Sequence, residues 1–210
     1  MTWVSSNVLG NWYRECMTSA EMEALLNNIA QMSNVVYAKE PHWNQKTMEL
    51  LPPATAKDVA KLSKLLPIAM SPLYHLFLRL HNGCLGFWGG HTFLGSKGKT
   101  FDTVTVQAQN AMKALGKRYM VFSANGAGEF LLFNAKKKNK LGDYEVLRYS
   151  DEVGVEDHYP DFGAFLGTTA YLLQTRILDK GYSAAKQRRA KKKQLRNRAF
   201  KSEDVREDVA

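Results

Sequence analysis

The sequence predicts an α+β domain, in which helices flank a central cluster of short strands. Three observations carry this expectation. Apolar residues recur at helical spacing before residue 81 and again after residue 161. From 101 to 149 the pattern shortens to β-branched and aromatic runs separated by turn residues. Strands and helices do not alternate regularly, as a parallel sheet would require, so the sheet should be largely antiparallel with about four to six strands.

Taken in order, Thr18-Ser19-Ala20-Glu21 has the hydroxyl-to-glutamate spacing of a capping box. Met22, Leu25, Leu26, Ile29 and Met32 continue it as an amphipathic helix. Residues 33–54 read as an irregular connection, because Pro41, Pro52 and Pro53 deny it a long helix. A second helix starts near Thr55, shows Val59, Leu62, Leu65 and Leu66 on one face, and ends at Pro67. Ser71-Pro72 starts a third, with serine as cap and proline at the first helical position. Its residues Leu73, Tyr74, Leu76, Phe77, Leu78 and Leu80 are apolar nearly all round, so it should lie at the centre of the core. Asn82-Gly83 ends it, since either residue tolerates a left-handed cap.

Four runs then read as strands: Phe101–Val106, Tyr119–Ser123, Glu129–Asn134 and Tyr144–Tyr149. Asn125 to Gly128 is a hairpin signal, and Lys136 to Gly142 reads as a solvated hairpin tip. Residues 150–160 read as an acidic loop. Asp161 should cap a last helix from Phe162 to about Leu178.

The totals restrict the function. In 210 residues only Cys16 and Cys84 are present, too few for a disulfide framework or a four-cysteine zinc site. With no signal-peptide pattern at the N-terminus, a reducing cytoplasm is the expected setting. No apolar run is long enough to span a bilayer, so no membrane partner is expected. The net charge of +9 is uneven: residues 181–210 hold ten Lys and Arg against four Asp and Glu. Lys186, Arg188, Arg189, Lys191, Lys192, Lys193, Arg196 and Arg198 form a run without an acid. Such an arm suits nucleic acid or another acidic surface, by counterion release without sequence preference.

Residues 78–90, LRLHNGCLGFWGG, are the segment most suggestive of chemistry. His81, Cys84 and His91 could supply three metal ligands, but no fourth ligand stands at a usual spacing, so no metal is expected. The glycines follow a helix and lack GxxxxGK[ST], which excludes a P-loop. Gly126 and Gly128 lie between two strands and lack the third glycine of a dinucleotide fingerprint. Ser123 and Ser150 show no histidine–acid arrangement, and Glu129 has no partner acid, base or nucleophile in sequence, so no catalytic residue is assigned. Phe87 and Trp88, flanked by Gly86, Gly89 and Gly90, either anchor a partner from a loop or cover one edge of the core. Glu129 either bonds loop amides or faces a partner.

The ordered pieces LLP (Leu65–Pro67), PLYHLFLRLHNG (Pro72–Gly83), VFSANGAGEFLLF (Val121–Phe133), DYEVLRYS (Asp143–Ser150) and DFGAFLGTTAYLL (Asp161–Leu173) resemble the SUKH superfamily. That superfamily includes bacterial toxin-immunity proteins and a fungal cell-wall-synthesis regulator. The resemblance covers roughly residues 55–178. It implies a SUKH-like, non-enzymatic module without cofactor that recognises a protein partner, such as a toxin or effector, through a surface built on the sheet. Residues 1–54 would then be a helical extension and 179–210 a flexible or helical basic arm. An accessory protein that binds DNA or RNA through the arm is the alternative.

Overall fold

The computed structural model describes residues 17–39 and 47–178. The chain divides into two units, Met1–Leu173 and Gln174–Ala210. The basic run 186–198 lies outside the described residues.

Helix α1 spans Ser19–Lys39 and starts at the expected box. The Glu21 amide donates to Thr18 Oγ1 at 3.2 Å, and the Glu21 carboxylate accepts from the Thr18 amide at 2.8 Å. The helix runs past Met32, into the segment expected to be irregular. Ser33, Val36 and Tyr37 are at most 3% exposed and prolong its buried stripe, so packing outweighs the weak helix propensity of two successive valines. Residues Glu49–Leu50 then form β1, an edge strand too short to be visible as a period-two pattern.

Helix α2 (Ala56–Leu65) starts on Thr55, whose hydroxyl accepts from the Asp58 amide at 3.1 Å. Helix α3 (Pro72–Leu80) starts where Ser71-Pro72 places it, but Ser71 does not cap it. Its hydroxyl donates instead to Asp143, which accepts the Leu73 amide at 2.8 Å and so caps the helix from across the fold. Asp143 is 2% exposed, and burial raises its carboxyl above the ordinary value, against the hydrogen bonds from Ser71 and Leu73. The charged form is thus disfavoured by folding. The associated stability is complete below the unfolded pKa and is lost as pH rises through the folded one. Asp143→Asn keeps the acceptor and removes the charge, so it should change stability by less than about 1 kcal/mol near neutral pH. Asp143→Ala strands two donors and should cost about 1–3 kcal/mol in urea denaturation.

The glycine-rich segment is not a loop. Cys84–Phe87 is β2, Trp88–Gly90 a single 3₁₀ turn and His91–Phe93 β3. Gly83 has φ +93° and Gly86 φ +64°; a Cβ on Gly86 would lie 2.5 Å from the Thr47 carbonyl oxygen. The glycines therefore serve a tight antiparallel ribbon that β1 joins at its outer edge. Phe101–Val106, expected to be a strand, belongs to helix α4 (Lys99–Leu115). Thr100, Val104 and Ala108, four residues apart, are each at most 1% exposed, and the Thr105 hydroxyl donates to the Phe101 carbonyl at 2.7 Å. That helical stripe overrides the β propensity of the alternating threonines and valines.

Strands β4 (Tyr119–Ala124), β5 (Glu129–Lys138) and β6 (Tyr144–Ser150) match the expected runs, with Lys136–Lys138 inside β5 rather than at its tip. Gly154–Tyr159, expected to be loop, forms β7. Among the described residues, one antiparallel sheet of seven strands results, beyond the four to six expected, in the order β1 to β7. Helix α5 (162–178) follows, and Asp161 caps it by accepting the Ala164 amide at 2.8 Å.

One face of this sheet carries an aromatic core. Tyr74, Phe77, Phe93, Phe122, Phe133 and Phe162 are fully buried. The Tyr74 ring lies 5.3–5.4 Å from those of Phe77, Phe122, Phe133 and Phe162, and its hydroxyl donates to the Leu94 carbonyl at 2.7 Å. Side chains alternate along strands, so the same face continues to His91, two residues before Phe93, and Glu129, four before Phe133. Arg148 also lies there, opposite Leu131 and two residues beyond Val146. At this end of the face the aromatic core gives way to ionisable residues.

Candidate partner-binding site

The turn between β4 and β5 organises this polar end. Asn125 Oδ1 accepts from the amides of Ala127 and Glu129 at 3.1 and 3.0 Å, closing the hairpin from within. Its Nδ2 donates to the Gly89 carbonyl at 3.3 Å and to Glu129 Oε2. Asn125 therefore ties the Trp88–Gly90 turn to Glu129. Two of the three residues singled out as partner contacts, Trp88 and Glu129, thus belong to one linked structure. The third, Phe87, does not face outward: it is 1% exposed, with its ring 4.3 Å from Phe93 and 5.7 Å from Phe165. Of its two readings the core one holds, because β2 turns this position inward.

Arg148 is the centre of charge. Its Nε donates to Asp157 Oδ2 at 2.7 Å, Nη2 lies 2.9 Å from Glu156 Oε2, and Nη1 lies 3.7 Å from Glu129 Oε1. One cation against three carboxylates leaves a local surplus of negative charge. All four side chains are part-exposed, between 21% and 43%. Such pairs contribute only about 0–1 kcal/mol each to stability. The network fixes side-chain directions at the surface more than it holds the fold.

Behind it, His91 is 5% exposed. Nδ1 lies 3.1 Å from Ser123 Oγ, and Nε2 lies 3.9 Å from Glu129 Oε2. A neutral ring protonated on Nε2, toward the carboxylate, leaves Nδ1 to accept the Ser123 hydroxyl proton. Burial first, and the Arg148 charge second, push the ring pKa down to about 4. Serine, histidine and glutamate in this order invite comparison with a nucleophile, base and orienting acid. The sequence showed no such arrangement, and the fold builds it across three strands. Yet Ser123 is 0% exposed, and the His91–Glu129 separation exceeds hydrogen-bond reach. A substrate carbonyl has no approach to that oxygen in this conformation, so the cluster acts here as a polar support beneath Glu129.

The other two members of the metal-ligand trio have separate duties. His81 ends α3, with Nδ1 3.3 Å from the Leu51 carbonyl oxygen. Cys84 is fully buried in β2, and burial pushes its thiol pKa up. Among the described residues no group of three or more His, Cys, Asp or Glu is arranged to hold a metal ion. No described helix is long and apolar enough to cross a membrane.

A comparison with protein families matches residues 53–168, more than half of the chain, to the SMI1 / KNR4 family (SUKH-1). The chain belongs to this family. No curated protein matches it significantly. The SUKH-1 match begins just before α2 and ends within α5, so it contains β2 to β7 and every residue of the Arg148 network. Helix α1 and β1 precede it, yet both are integral to this SUKH-1 fold: Met22, Leu25, Leu26 and Ile29 are at most 1% exposed, and β1 pairs with β2.

Proposed function

We propose that this chain is a non-catalytic protein-binding module that holds a basic partner, such as a toxin or effector, against the Glu129–Arg148 end of its sheet. The observation that supports it best is Arg148, held by three part-exposed carboxylates beside the Trp88 turn. An oriented, negatively charged face accelerates association with a cationic surface and disfavours acidic competitors. It stands on a chain whose net charge is +9, so the acidity is local.

The test uses the full chain to capture a partner from its native cell, followed by binding measurements with both proteins purified. Glu129→Gln, Glu156→Gln and Asp157→Asn together preserve shape and remove the negative surplus. Affinity should fall about tenfold or more and its salt dependence should flatten. Unchanged affinity and salt slope would reject this face. Coexpression should rescue cells poisoned by the partner, if neutralisation is the role.

A second reading rests on the run 186–198, with eight basic residues and no acid. If the arm binds RNA or DNA, deleting residues 183–201 should abolish a steeply salt-dependent affinity for a random-sequence oligonucleotide. Binding that survives the deletion would remove this reading.

A further inference from the structure

A groove of about 540 Å³ runs between α2 and α3, separate from the Arg148 network. Ala56, Val59, Ala60 and Ser63 line it from α2; small side chains one helical turn apart leave the space. Lys64, His75 and Arg79 supply its polar lining, all three exposed. Lys97, Lys137 and Arg148, outside the groove, are paired with a carboxylate at 2.9 Å or less. Lys64, His75 and Arg79 have no such partner among the described residues. Lys57 and Lys61, both exposed on α2, add to the positive potential. Asp58, the acid of α2, is engaged by Thr55 and Lys97 and forms no ion pair with Lys64, His75 or Arg79.

We propose that this groove docks an acidic, amphipathic segment of a partner protein. An apolar floor between two helices is the geometry that accepts a helix with one apolar face. His75 and Arg79 stand one turn apart on α3, the spacing of two carboxylates on the same face of a bound helix. Charge complementarity therefore selects acidic over basic segments. The lining holds no Phe, Tyr or Trp, so the His75 ring alone offers a base a stacking surface, which disfavours a single-stranded nucleic acid. With the acidic face at the end of the sheet, the domain would present two surfaces of opposite sign.

The test is fluorescence anisotropy on the full chain. The probe is a short synthetic peptide with glutamates one helical turn apart and leucines on the opposite face. Controls are the same peptide with every glutamate changed to lysine, and an oligouridylate of similar charge. The acidic peptide should bind saturably and the other two should not. Lys64→Glu with Arg79→Glu should weaken it about tenfold or more. Ala60→Trp, at an exposed position, should block it by filling the floor. Either variant suffices should the other disturb the far-ultraviolet circular dichroism. Neutralising Glu129, Glu156 and Asp157 should leave peptide binding unchanged, which separates this groove from the sheet face. No saturable binding, equal binding of the lysine peptide, tighter binding of the oligouridylate, or indifference to a folded groove variant would each overturn the proposal.

Discussion

Replacing Tyr74 by alanine is expected to remove about 3–5 kcal/mol of stability, the range for truncating a large aromatic in a packed core. Its ring touches four others, contributed by α3, β4, β5 and α5, so no single neighbour can relax into the void. Tyr74→Phe separates the two contributions. It keeps the ring and loses only the hydroxyl donated to Leu94, which should cost about 1–2 kcal/mol for the buried carbonyl left unpaired. Urea denaturation of both variants measures the difference. Equal losses would assign the effect to the hydrogen bond and contradict the packing account.

Acidification should destabilise the protein through His91. In the unfolded chain an imidazole takes up its proton near pH 6.5, whereas the folded ring resists until about 4. Between those values the unfolded state binds more protons, so stability falls as pH falls through that window. The complete shift corresponds to about 3 kcal/mol, at about 1.4 kcal/mol per unit. His91→Gln removes the titration and keeps a hydrogen-bonding group toward Ser123. Glu145 adds a loss of the same sign at lower pH: despite burial, hydrogen bonds from Lys137, Asn134 and His158 hold its carboxyl below the ordinary value. The difference between the wild-type and His91→Gln stability profiles therefore isolates the histidine. Parallel profiles from pH 7 to 4 would refute its role.

Elements defined by local chemistry were legible in the sequence. The Thr18–Glu21 box and Asp161 cap helices where the sequence placed them, because capping needs only residues three or four apart; Ser71-Pro72 marks the start of α3, but its cap is the distant Asp143. Strands β4 to β6 were legible because apolar and aromatic runs fill them. Elements defined by their neighbours were not. Strand β7 is acidic, since its charges face Arg148 on the neighbouring strand; β2 and β3 hide among glycines that the ribbon requires, and β1 is too short to show a period. Alternation in FDTVTV suggested a strand, while the Thr100–Val104–Ala108 stripe that decides its helix has no large apolar residue at two of its three positions. Of the candidate site, Trp88 and Glu129 were named, but Arg148, Asn125 and the His91–Ser123 contact depend on strand register. A lone arginine inside YEVLRY was the available signal.

The sheet's order, identical with the order of the chain, has a consequence for how the molecule folds and varies. From β4 to β7 each strand closes only a short connection onto its predecessor, so pairing there can advance by zippering, whereas α2 and α3 intervene between β1 and β2 and α4 between β3 and β4. Folding should nucleate on the β4–β5–β6 hairpins, whose ring pair Phe122–Phe133 stacks at 4.2 Å. The same layout makes the hairpin tips insertion points. Doubling the length of one, such as 139–142, should cost only about 0.6 kcal/mol of closure entropy and leave the threading of every other strand intact.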